Sequence, residues 1–349
     1  DVIYVIAGNQ GEGGIPIPTD NFNGLNVAFS RREAGIFRKV DFANLGNELT
    51  GIANSRVGRE RNLSNRRSIS LVAPGSQLEL LNPDGTTSIA SGTSFAAPHV
   101  TATIALLQDY AERRLRAART TPDPLWSFDS RRHEVMKVVL INGADKIADG
   151  GDGQALGMSR TIVNQREETW LESEAYVNPL QPLDLQMGAG QVNAFRSYQQ
   201  FSAGQYAPEN PIPPIGWHYG TIEFSPSSEA SVQGSIQDYI FAEPLTANSF
   251  FSATLSWDRW VDLDDRNNNG EFDLGESFSD RGLNNLDLYL MPADAIDLKD
   301  SIRSSVSTVD SMEHLFYRIP ETGRYKLRVV YRQPVHAPAQ PYAIAWWGR

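Results

Sequence analysis

The stretch SGTSFAAPHV, Ser91 to Val100, sets one serine at the mouth of an apolar helical run. A serine hydroxyl is a weak nucleophile. It needs an adjacent base and donors for the oxyanion it creates. Ser94 sits where a helix would begin, and there unpaired backbone N–H groups and the helix dipole favour developing negative charge. A second stretch offers different chemistry. DRNNNGEFDLGE, Asp265 to Glu276, places oxygen ligands at alternate positions around a glycine. That pattern suits a hard cation that takes six to eight oxygens from one short wrap. Asp265, Asn267 and Asn269 are side-chain ligands there, and Glu271 ligates through its carbonyl. Asp273 takes the ninth position and Glu276 the bidentate twelfth, with Phe272 apolar at the eighth. The cation expected is calcium, in a lone loop set between strands for stability, because FFSATLSW upstream reads as a strand. Asp262 and Asp264 stand ready to add ligands or to solvate the loop.

The elements that must position these groups fall into two patterns. The first half reads as α/β. Val2 to Ala7 is a continuous β-branched run, which predicts a strand buried on both faces. Asn26–Phe29 and Ser68–Val72 are further strands. Helices are expected over Ser94–Arg116, His133–Asn142 and Gln191–Phe201. Asp149 to Pro182 lacks a clear period and reads as a surface excursion. APENPIPPIG is Pro-rich and reads as a linker over 207–216. Six short alternating strands then follow, from Thr221 to Trp346, the signature of an antiparallel β-sandwich. The expected domains are therefore 1–206, a linker, and 217–349.

Composition bounds the partners. The net charge is −11 over 349 residues, which argues against nucleic acid. The one basic stretch, Ser55 to Ser68, reads as a solvated loop. No apolar run approaches the roughly 18 residues a membrane span requires. Cysteine is absent, so disulfides and thiolate chemistry are excluded. The chain opens on Asp1, which reads as a processed or cut product.

SGTSFAAPHV resembles the nucleophile motif of the subtilisin-like serine proteases, with matches at Gly92, Thr93, Ser94, Ala96, Pro98, His99 and Val100. SLVAPG resembles the strand and turn before that serine, and VIYVIAGNQG the strand that ends in an oxyanion-donating asparagine. VMKVVLINGADK and MGAGQVNA are similar to the family's later helix and closing segment. The resemblance covers about residues 1–203. It implies the C-terminal part of a parallel-sheet catalytic domain, Ser94 as nucleophile, Asn9 as oxyanion donor, and a protein or peptide substrate. It implies a secreted, bacterial enzyme, with a jelly-roll-like β-sandwich behind the catalytic part. Asn285 and Asp287 match an acidic turn of such sandwiches.

In that family the acid and the base precede the serine. The five histidines are His99, His133, His218, His314 and His336, and none precedes Ser94. His99 lies five residues along the same helix, about 140° around its axis from Ser94. The expectation is a nucleophile-bearing part whose aspartate and histidine come from an N-terminal segment or chain, inactive alone. The alternative is a non-catalytic calcium-dependent binding protein built on a protease-derived fold. An α/β-hydrolase is excluded, because Gly-Thr-Ser-Phe-Ala lacks the G-x-S-x-G elbow.

Overall fold

The computed structural model describes residues 2–8, 21–40, 66–225 and 235–349. Asn9 and most of the basic stretch lie outside the described residues. The first half contains β1 (Val5–Ala7), β2 (Leu25–Glu33), β3 (Ile36–Lys39), β4 (Leu71–Pro74), β5 (Leu78–Leu81), β6 (Thr87–Ala90) and β7 (Ile162–Val163). Its helices are α1 (Thr93–Ala118), α2 (His133–Asn142), α3 (Glu174–Val177) and α4 (Ala194–Ser202).

β2 organises the first sheet. It pairs in parallel with β1 and β4, and its far half folds back antiparallel onto β3. Ala34 and Gly35 turn that hairpin, both at positive φ, as a two-residue turn matched to strand twist requires. Period-two alternation then sorts the side chains. Leu25, Val27, Phe29, Leu71 and Ala73 join one core with α1 and α2, while Ala28 and Val72 join another on the opposite face. β1 departs from expectation. It is half-buried, with Val2 and Tyr4 exposed, and it pairs only with β2 among the described residues. An apolar run alone cannot tell a central strand from one whose second edge has no neighbour.

Two further readings are corrected. Residues 149–182 are no surface excursion. Leu156, Met158, Ile162 and Trp170 are buried in one core with Phe250 and Phe316, and the Trp170 Nε1–H donates to the Gly188 carbonyl at 2.9 Å. Their apolar residues are spaced for packing by several short turns, so no single period shows. Nor is 207–216 a free spacer. Ile212 is buried, its N–H donates to the Ile240 carbonyl, and the Trp346 Nε1–H donates to the Pro213 carbonyl.

The second half contains β8 (Ile215–Glu223), β9 (Ser235–Ile240), β10 (Phe250–Trp257), β11 (Trp260–Leu263), β12 (Phe278–Gly282), β13 (Asn285–Pro292), β14 (Arg303–Ser305), β15 (Met312–Arg318), β16 (Tyr325–Gln333) and β17 (Ala339–Trp347). Two four-stranded antiparallel sheets run in the orders β15-β10-β17-β8 and β14-β13-β16-β9. Ala253, Leu255, Leu288, Leu327, Val329 and Ile344 fill the core between them. β10 explains how the halves join. Its alternate residues Ser252 and Thr254 face the other way and bond the Asn142 side-chain oxygen at the end of α2. Small polar residues on that face let strand and helix approach closely while the Ser252 and Thr254 hydroxyls and the Asn142 amide find partners.

Candidate functional site

Ser94 owes its place to two glycines. β4 leaves the sheet at Gly75, and the chain makes a hairpin of β5 and β6. It returns to the same point, where the Gly92 N–H donates to the Gly75 carbonyl at 2.7 Å. Gly75 is clamped from the other side as its N–H donates to the Ser30 carbonyl. A Cβ on Gly75 would lie 2.6 Å from the Phe29 Cβ and 2.7 Å from the Gly92 carbonyl oxygen. Gly92 has φ +148°, where a side chain is strained. So α1 starts directly beside the end of β4.

The helix is anchored by Ala96, Ala97, Val100, Thr103, Ile104, Leu107 and Ala111, one buried stripe at helical spacing. Pro98 is tolerated in the opening turns. Ser94 is exposed on the first turn, and its hydroxyl has no hydrogen-bond partner among the described residues. The first-turn N–H groups point out of the same end. Neighbouring Thr93 is buried.

No histidine meets Ser94. The His99 Nδ1 is held 3.1 Å from the Phe95 carbonyl oxygen, and burial lowers its pKa. His218 bonds the Tyr239 hydroxyl at 2.8 Å, and burial pushes its pKa down to about 4. His314 is buried against Thr254 and the Trp170 ring. His336 packs edge-on against Trp260. His133 is the one that finds carboxylates. Its Nε2 lies 2.8 Å from Asp258 and its Nδ1 3.3 Å from Glu134. The preceding Arg131 reaches Glu112, 18 residues beyond Ser94 on α1 and so about 27 Å along its axis. The His133 group therefore belongs to the far end of the helix.

Sequence reasoning missed that group. Asp258 is 125 residues from His133, and no local pattern links them. His133, Glu134 and Asp258 form the one cluster of acidic and imidazole groups, among the described residues, close enough to share a metal ion. Burial lowers the His133 pKa, but the Asp258 hydrogen bond and both carboxylate charges outweigh it and raise it overall. A protonated imidazole bridging two carboxylates accounts for the arrangement without a metal.

The acidic loop lies between β11 and β12, with residues 266–275 exposed and Asp265 and Glu276 half-buried at its ends. Asp265 accepts the Asn268 and Gly270 N–H groups, at 2.6 and 2.7 Å. Asn267 and Asn269 accept the N–H groups two residues on. Both amides donate to Asp273 Oδ2, and Glu276 accepts from the N–H groups of Arg266 and Asp273. Gly270 makes the turn at φ +78°. Every predicted side-chain ligand is thus drawn into one wrap. The hydrogen bonds to the Gly270 and Asn268 N–H groups hold the Asp265 carboxyl below its ordinary pKa. The donor set fits a hard divalent cation: three carboxylates, two amides and the Glu271 carbonyl. Upstream, Asp264 is occupied by Ser277 and Ser279, and Asp262 pairs with Arg281. Asp287 lies elsewhere, buried on β13 and paired with Arg332 and Tyr289, so it fixes strands and does not join the loop.

The model of the subtilase family matches residues 47–159, about a third of the chain. That span contains Gly75, Gly92, Ser94 and His133 and excludes the acidic loop. No curated protein matches the chain. Among solved structures, the patellamide maturation protease PatA is 22% identical over 38% of this chain and 34% of its own, with a TM-score of 0.23. The self-cleaved protease domain of PatA is 19% identical over 56% and 49%, at 0.30. The serine protease of Aeromonas sobria is 14% identical over 97% and 64%, at 0.24. The chain spans a third to a half of the length of the first two. TM-scores of this size carry no argument about shared architecture, and the family match rests on residues 47–159 alone.

Proposed function

We propose, from a chain whose residues 47–159 are subtilase sequence, the serine-bearing part of a subtilisin-type endopeptidase that acts on protein or peptide substrates. The observation that carries this reading is the Ser94 turn: an exposed, unpartnered hydroxyl on the first turn of a long helix, fixed by two glycines. Ser94 Oγ attacks the peptide carbonyl, its proton passes to a histidine, and the amine leaves to give an acyl-enzyme that water cleaves. The backbone N–H of Ser94 and the side chain of Asn9 hold the oxyanion.

The histidine comes from outside this chain, since all five of its own are engaged away from Ser94. A segment carrying the histidine and its aspartate would lie against β1, whose second edge is unpaired among the described residues, beside the exposed Val2 and Tyr4. We read the second half as an appended jelly-roll-like β-sandwich and its acidic loop as a calcium site formed by Asp265, Asn267, Asn269, Glu271, Asp273 and Glu276. The calcium would stiffen the hairpin and supply no chemistry at Ser94. The setting proposed is secreted and bacterial; among the described residues no helix is long and apolar enough to cross a membrane.

Fluorophosphonate labelling followed by peptide mapping tests the reading. The isolated, mass-verified chain should neither label nor hydrolyse peptides, while native material should label at Ser94. Robust turnover by the isolated chain would overturn the need for an outside base. Native material that is folded but never labels favours the calcium-dependent binding protein instead.

A further inference from the structure

Far from Ser94, a partly open polar cavity of about 40 Å³ lies where the two halves meet. Its wall comes from the 21–26 segment, the 66–70 lead into β4, α2, the corner after β10 and the turn before β15. Among the described residues four cationic side chains line it, Arg66, Arg67, Lys137 and Arg259, with one acid, Asp310, and Arg66 and Arg259 have further partners of their own. Asp310 is already committed: Oδ1 accepts the Arg67 N–H at 2.7 Å and Oδ2 the Ser307 hydroxyl at 2.8 Å.

The cations are not equally satisfied. Arg259 pairs with Asp280 at 3.2 Å, and Arg67 lies 3.6 Å from Glu174. Lys137 has no such partner. It is 4% exposed, projects from α2 into the cavity wall, and makes no hydrogen bond or ion pair with a described residue. Glu134, Asp258 and Asp310 attract it only from beyond ion-pair distance. The Arg67 Nε is likewise buried without a partner. Leaving an ammonium buried and unpaired is costly.

We propose that this cavity binds a small tetrahedral oxyanion of the phosphate or sulfate class. The donors favour it. The cavity has room for about three water-sized atoms and is partly open, so a bound ion would be gripped on one side and face solvent on the other. Guanidinium groups match oxyanions through paired N–H donors, and an ammonium adds a point charge. Arg66 is pre-oriented, its guanidinium 4.4 Å over the Phe22 ring, with Arg259 also over that ring at 5.7 Å. The Ser70 hydroxyl accepts the Asn26 N–H, which leaves its own proton to donate. An anion here would bind both halves at once, beside direct ties in which Asn23 and Arg259 exchange two hydrogen bonds and Ser311 bonds the Phe22 carbonyl.

The test is calorimetric titration of the full chain with inorganic phosphate, repeated with sulfate, together with thermal melts against sodium chloride at matched ionic strength. Saturable heat is expected for phosphate or sulfate, with a Tm rise that levels off on the order of a few degrees. Chloride should give neither. Lys137→Met should weaken phosphate binding about tenfold or more, and in anion-free buffer it should melt no lower than the parent, because it removes an unpaired buried charge. Should that variant fail to fold, Arg66→Gln should show the same loss of affinity. Three results overturn the proposal: no saturable phosphate or sulfate heat in the parent, unchanged affinity in the folded variants, or a Tm rise that stays linear in salt and is shared by parent and variant, which is general exclusion from the surface.

Discussion

The Ser94 turn and the acidic loop each present one short contiguous motif, of ten and twelve residues, yet they stand in opposite states. In the loop, all five ligand-type side chains bond to neighbours within the loop itself. At the turn, the reactive side chain bonds to nothing described, and what the chain contributes is position: a glycine clamp and a helix end. The difference follows from the chemistry. A hard cation asks for oxygens at short range, which one contiguous wrap supplies. Proton transfer from serine asks for an imidazole aimed across space, and no residue close in sequence on the same helix can aim back, as the His99–Phe95 contact illustrates. A local stretch can finish a metal site; it can only begin a nucleophile.

The largest expected effect removes what the turn does contribute. Ser94→Ala in native material should lower peptide hydrolysis about a thousandfold or more and abolish fluorophosphonate labelling. Its unfolding free energy should stay within about 0.5 kcal/mol of the parent, because the side chain is exposed and has no partner among the described residues. A variant that keeps labelling would place the nucleophile elsewhere. Gly92→Ala attacks position rather than chemistry. Holding an alanine at φ +148° should cost about 1–3 kcal/mol in denaturant unfolding and reduce labelling through a displaced helix start. If Gly92→Ala is neutral in both, the clamp does not set the serine.

The loop should answer to its ion instead. Adding calcium to chelator-treated protein should raise stability by about 2.7 kcal/mol at a hundredfold excess over Kd. Glu276→Gln should remove most of that rise while leaving the calcium-free melt nearly unchanged, since the loop lies at the surface and Glu276 is half-exposed. A melt indifferent to calcium in the parent would reduce the loop to a hydrogen-bonded hairpin tip and erase the contrast drawn above.

How much of this was legible in the residues differs by distance along the chain. His133–Asn142 and Phe250–Trp257 are found at the expected bounds, because a helix stripe and a run of alternating S-A-T-L-S are local signals. The loop's wrap is local too. Residues 149–182 were opaque, since Trp170 and Leu156 are buried by strands from the other half. The edge position of β1 was equally hidden: Val2 to Ala7 has the composition of a central strand, and composition carries no record of which neighbours are present. The His133–Asp258 contact and the cationic cavity share that cause, for both are assembled from segments more than a hundred residues apart.

The smallest effect separates a histidine that is merely charged from one that is catalytic. His133 has a carboxylate on each ring nitrogen, which leaves neither free to take a serine proton, and its place at the far end of α1 argues the same way. Its pKa in the folded chain is raised, so the folded state holds the proton more tightly than the unfolded state does. Its contribution is then fully present below the unfolded value near 6.5 and is lost as pH rises through the folded value. His133→Gln should therefore destabilise the chain at pH 5–6 by less than about 1 kcal/mol, the group being partly open to solvent, and have a smaller effect at pH 9. Labelling of Ser94 in native material should be unchanged at every pH. A loss of labelling in His133→Gln with the fold intact would make His133 the base after all, and the turn would then be as complete within this chain as the loop.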